Sequence, residues 1–147
     1  MAPKTDKNNT IKFSISNTTS GKLPSLPFAS MKDAVLGKNY ELSVVFASRA
    51  TMRRLNLTYR GKDKPTDILS FSLEKNKGEI YTNTDEAKKE AKKIGRNFEN
   101  FLGFLFIHGL VHLEGFTHGS RMEARERKFR KKFNIWILAT QNLKRKT

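Results

Sequence analysis

All three histidines of this 147-residue chain fall within one short run, His108-Gly-Leu-Val-His112-Leu-Glu-Gly-Phe-Thr-His118. His108 and His112 are four residues apart in an apolar segment, so a helix puts both imidazoles on one face. Gly115 predicts the helix end, because glycine accepts the left-handed backbone that a stop needs. A short turn can then return His118 to the same point. A lone histidine in an apolar stretch is ordinarily a core residue with a satisfied ring. Three at this spacing, with none elsewhere, point to a metal. Three neutral imidazoles with a fourth position left for water are the ligand set of a catalytic rather than a structural zinc site. Zinc leads because imidazole suits it, although nickel, copper or iron would accept the same ligands. The chain has no cysteine, so any ligand must be imidazole, carboxylate or water.

A second constellation is the loop Tyr59-Arg60-Gly61-Lys62-Asp63-Lys64-Pro65-Thr66-Asp67. Lys64 precedes proline and is biased toward extended geometry, which predicts a defined exit from the loop. Arg60, Lys62 and Lys64 are concentrated here, and Arg60 is the better phosphate anchor because its planar fork binds bidentately. By spacing alone the stretch reads slightly better as an ordinary solvated loop.

Charge narrows the partners. Twenty-nine Lys and Arg stand against fourteen Asp and Glu, a net charge of +15, with a pI near 10.2. Such a field attracts polyanions, nucleic acid first. An anionic membrane surface is the weaker partner, since the basic helices lack a clean interfacial face. The longest apolar run, 101–113, is too short to span a bilayer. The polar N-terminus lacks the apolar stretch of a secretory signal. These features lead to the expectation of a soluble cytoplasmic protein with no membrane partner.

The elements that must position these groups follow from periodicity. Alternation at Ile11, Phe13 and Ile15 predicts a strand. A short helix over 29–36 ends near Gly37, and a Val-rich strand runs from Tyr40 to Phe46. Ser48 caps a helix over 49–59 with Met52, Leu55 and Tyr59 on one face. A strand over 67–73 places Leu69, Phe71 and Leu73 on one side, and a turn leads to its antiparallel neighbour at Glu79–Tyr81. Asn83 with Glu86 reads as a capping box for a charged helix over 85–94. A central apolar helix over 97–114 carries the first two histidines, and a terminal helix spans 120–142. Residues 1–9 read as a disordered leader, 10–142 as one domain and 143–147 as a basic tail. The expected fold is α+β or mixed α/β: a single compact domain with about four strands in one sheet and four to five helices.

The histidine run resembles the H-G-x-x-H-L-x-G-x-x-H signature of the YbeY family of bacterial endoribonucleases, the rRNA maturation factors. Leu55-Asn56-Leu57-Thr58-Tyr59-Arg60-Gly61-Lys62-Asp63-Lys64-Pro65-Thr66-Asp67-Ile68-Leu69-Ser70-Phe71 resembles the same family's L-N-x-x-Y-R-x-x-D-x-P-T-D-V-L-S-F run. The resemblance implies a compact α/β fold with one metal, zinc or another divalent transition ion, on His108, His112 and His118. It implies that Arg60 lies in the metal cleft and helps bind or cleave RNA. It also implies single-strand-specific cleavage in 16S rRNA 3′-end maturation and ribosome quality control, with small-subunit proteins or assembly factors as partners. Four positions depart from the pattern. Thr117 replaces the usual aspartate, Glu114 the usual leucine, Glu79 an aspartate after Gly78, and Ser72 a proline. On a continuing helix Glu114 points away from the metal face. Two other readings stand beside this one. One is a non-catalytic rRNA-binding assembly factor with a structural metal, and the other a metallohydrolase of another substrate class. The zinc-peptidase pattern H-E-x-x-H is not met, because Gly109 follows the first histidine.

Overall fold

The computed structural model describes residues 4–5 and 11–135, of which residues 4, 5 and 11 are described through their backbone alone. One mixed sheet runs through it in the order β1-β2-β3-β5-β4. Its strands are β1 (Lys4–Thr5), β2 (Ile11–Asn17), β3 (Glu41–Phe46), β4 (Ile68–Glu74) and β5 (Lys77–Thr82). The β2–β3 and β3–β5 pairs are parallel, while β1–β2 and β4–β5 are antiparallel. Five helices accompany them: α1 (Phe28–Leu36), α2 (Arg49–Arg60), α3 (Thr84–Lys93), α4 (Phe98–Leu113) and α5 (Ser120–Lys132). The architecture is the single α+β domain expected, with β1 as an additional short strand.

The sheet has a thick side and a thin side. Leu42, Val44 and Phe46 alternate along β3 toward α4 and its neighbours. Every residue of α4 from Phe101 to Leu113 is buried except His112, which is half-buried. A helix apolar on all sides needs partners all round, and α4 contacts β4, α1, α3 and α5. A Cβ at Gly109 would stand 2.8 Å from Ser70 Oγ and 3.3 Å from Ile80 Cδ1. Glycine beside the first histidine therefore serves the close approach of α4 to the sheet. On the other face, α2 packs Met52 against Ala47 and Leu69, with Leu55 and Phe71 beside them.

Several expectations need correcting. Lys4–Thr5, inside the stretch read as a leader, pairs with β2; the rest of 1–9 lies outside the described residues. Leu69 and Phe71 do pack together on one side of β4, but the β4–β5 register slips between Ser72 and Glu74, and Leu73, at the slip, is 50% exposed. Tyr59 is 65% exposed, with its ring 5.0 Å from that of Phe71. The capping box is half made. Asn83 Oδ1 accepts the Glu86 N–H at 2.8 Å, but the Glu86 carboxylate accepts from Arg49 Nε. The Asn83 N–H donates instead to the Asp67 carbonyl. The terminal helix stops at Lys132 rather than 142, because Asn134 turns left-handed (φ 60°). Ile135 then returns its N–H to the Arg130 carbonyl and buries its side chain against Gly103. Trp136, Leu138 and the tail 143–147 lie outside the described residues. Among the described residues no helix is long and apolar enough to cross a membrane.

Candidate metal centre

His108 and His112 stand one turn apart near the C-terminal end of α4, as their spacing predicts. Glu114 closes the helix and Gly115 takes φ +111°. The Phe116 N–H then bonds back to the Val111 carbonyl at 3.3 Å. The turn returns the chain, and His118, in the loop beyond α4, meets the other two rings. Ring centroids are 4.7 Å apart for His108 and His112, 5.1 Å for His112 and His118, and 5.7 Å for His108 and His118. One ligating nitrogen from each ring lies within 4.8 Å of the others.

The hydrogen bonds of two rings fix which nitrogen faces inward. The His112 Nδ1–H donates to the Phe116 carbonyl at 3.1 Å. A carbonyl only accepts, so this ring carries its proton on Nδ1 and its lone pair on Nε2. That Nε2 is buried and has no hydrogen-bond partner among the described residues. An unsatisfied buried acceptor needs a reason, and a cation between three imidazoles supplies one. Burial, followed by the neighbouring His108, holds the His112 pKa below its ordinary 6.5, which favours the neutral form a metal requires. His108, 4% exposed, hydrogen-bonds through Nδ1 to Glu126 Oε1 at 2.6 Å. With Nδ1 donating to a carboxylate, the lone pair of this ring is on Nε2. The donor set therefore fits a divalent ion of the imidazole-binding kind.

Glu126 is the participant that sequence reasoning missed. It lies on α5 and is 5% exposed, in a helix whose other residues are mostly basic. The signal was its position: Met122, Glu126, Phe129 and Arg130 are the buried residues of α5, an i, i+4, i+7, i+8 set in which a carboxylate needs a partner. The carboxylate of the centre thus serves His108, while Thr117 brings none to His118. Glu114 pairs with Arg125.

Arg60 is the half-buried last residue of α2. Gly61 follows in the left-handed conformation (φ 69°) and caps the helix. The loop after it is tied down. The Asn56 Nδ2 donates to the Lys64 carbonyl at 2.9 Å, and the Arg53 fork grips Asp63 at 2.7 and 3.1 Å. The Asp67 carbonyl accepts from Thr82 Oγ1 and the Asn83 N–H. Asn56 and Asp67, both in the second motif, therefore hold the loop that follows Arg60.

Comparison with known proteins agrees with both motifs. The family model described as Endoribonuclease YbeY matches residues 5–136. A relative from Lysinibacillus sphaericus, named Endoribonuclease YbeY, is 40% identical over 103 residues, covering 60% of this chain and 64% of that protein. One of the same name from Staphylococcus carnosus is 36% identical over 107 residues, covering 65% and 70%. The chain thus spans slightly under two thirds of the first relative's length. A solution structure from Thermotoga maritima superposes with a TM-score of 0.59 at 25% identity, covering 82% of this chain and 88% of that one. With one family model matched across nearly all of the described fold, the chain belongs to the YbeY family.

Proposed function

We propose that this protein is a zinc-dependent endoribonuclease that cuts single-stranded RNA during rRNA processing. The observation that carries the reading is the convergence of His108, His112 and His118, with a buried, unsatisfied Nε2 on His112, in a chain of the YbeY family. Zinc held by these rings supplies Lewis acidity toward a scissile phosphate. The chain's own residues do the rest. Glu126 orients His108, and the Phe116 carbonyl orients His112. Arg60 stabilises charge on the phosphoryl oxygens, and the +15 surface holds the RNA backbone. The specific task is 16S rRNA 3′-end maturation and ribosome quality control in the cytoplasm, alongside small-subunit proteins or assembly factors. The family resemblance supports that assignment.

The test is cleavage of a labelled single-stranded RNA by purified protein before chelation, after chelation and after zinc is restored. Cutting that stops and returns with the metal is the expected result. RNA binding that persists without cutting in any of the three states would make the protein a non-catalytic assembly factor with a structural metal.

A further inference from the structure

His118 differs from its two partners in how it is held. His108 and His112 ride on α4 and each has its Nδ1 fixed. His118 is exposed, lies on a loop, and has no hydrogen bond to its ring among the described residues. Its segment is bounded by two glycines in left-handed geometry, Gly115 at φ +111° and Gly119 at φ +146°. Such residues are the most freely jointed in a chain, so ordering this segment as a metal arrives costs conformational entropy. Something must hold the loop beforehand if the third ligand is to be pre-organised.

One side chain spans the gap. Arg125 on α5 donates through Nε to Glu114 Oε1 at 3.1 Å and through a terminal nitrogen to Glu114 Oε2. Its guanidinium also lies 5.9 Å from the Phe116 ring centroid and 4.8 Å from that of Phe129. Both Arg125 and Glu114 are partly buried, where a two-point ion pair counts for more than on an open surface. Glu114 begins the loop, Phe116 sits within it, and Phe129 belongs to the helix behind it. The contacts therefore fasten the His118 segment to α5.

We propose that Glu114 and Arg125 form a clasp that pre-positions His118 for metal binding. This rests on the metal-centre reading above, and the two residues are positioning residues that act through His118. The clasp gives a physical role to Glu114, which occupies a leucine position of the family pattern.

Cobalt(II) is the probe, since its visible spectrum reports both occupancy and ligand geometry. Affinity is measured for the full chain, Arg125→Ala, His118→Ala and the double variant. Glu114→Gln serves as a second, isosteric break, and metal-free thermal unfolding checks each fold. The expected result is a loss of about tenfold or more for Arg125→Ala, the scale typical of supports behind metal ligands. The same substitution should cost nothing further in the His118→Ala background, because the effect travels through that ligand. An equal loss in both backgrounds, or none in either together with none for Glu114→Gln, overturns the clasp while leaving the metal centre standing. No cobalt binding by the unaltered chain removes the centre itself, and the clasp with it.

Discussion

Glu126→Gln is the sharpest single perturbation of the centre. The bond it alters is short, 2.6 Å, and both partners are buried, at 4% and 5% exposure. Glutamine keeps the volume, and its carbonyl can still accept the His108 Nδ1–H. What disappears is the charge that raises the basicity of the opposite nitrogen. A hydrogen bond to a charged group contributes about 1.5–3 kcal/mol, against about 0.5–1.5 for a neutral one. The difference, about 1–1.5 kcal/mol, corresponds to roughly a tenfold loss of metal affinity. Competition with a chromophoric chelator measures it, and thermal unfolding of the metal-free protein shows whether the fold survives. Glu126→Ala provides the contrast. It leaves a buried Nδ1–H unpaired at about 1–3 kcal/mol, so the metal-free protein itself should melt several degrees lower, at roughly 3 °C per kcal/mol for a domain of this size. Metal affinity for Glu126→Gln equal to that of the unaltered chain would refute the contribution of this carboxylate's charge.

Other consequences are direct. Arg60→Ala should slow RNA cleavage on the order of a hundredfold while metal content and melting temperature stay put; unchanged turnover at limiting and saturating RNA returns Arg60 to the solvated loop. Asn56, 1% exposed and bonded to the Lys64 carbonyl, should cost about 1–3 kcal/mol when changed to alanine, read as a lowered midpoint in urea. RNA affinity should fall steeply with salt. The slope of log affinity against log salt is about −0.7 per phosphate contact on a single strand, so several contacts on this +15 chain make it several-fold steeper than that. A flat titration would mean that the positive charge serves solubility.

The parts of the centre that one helix turn dictates were legible in the sequence. His108 and His112 four apart in an apolar run, with Gly115 after them, require a shared face and a stop, and both are present. The return of His118 was legible as a turn of the right length. Glu126 was not, because its pairing with His108 spans eighteen residues and depends on how α5 lies against α4. Its spacing from Met122 and Phe129 marks the face it shares with them, but not the partner it meets there. The same holds for Tyr59 and Leu73. Period-two spacing does not show that the β4–β5 register slips at Leu73, and the exposure of Tyr59 depends on how far α2 lies over the sheet. The end of α5 was misplaced because Ile135 continues an apolar pattern. In the fold it is a plug against Gly103 after a left-handed Asn134, not a further helical turn. Asn56 and Asp67 fell within a motif, yet their structural role appears only through their partners Lys64, Thr82 and Asn83.

The central claim is one divalent ion held by His108, His112 and His118. X-ray absorption at the zinc edge, on protein loaded and dialysed to constant metal content, tests it most directly when run beside His112→Ala. The account predicts one zinc per chain with three imidazole nitrogens at roughly 2.0–2.1 Å, and loss of that signal in the folded variant. A substoichiometric metal content, or a full signal that survives in His112→Ala, would contradict it.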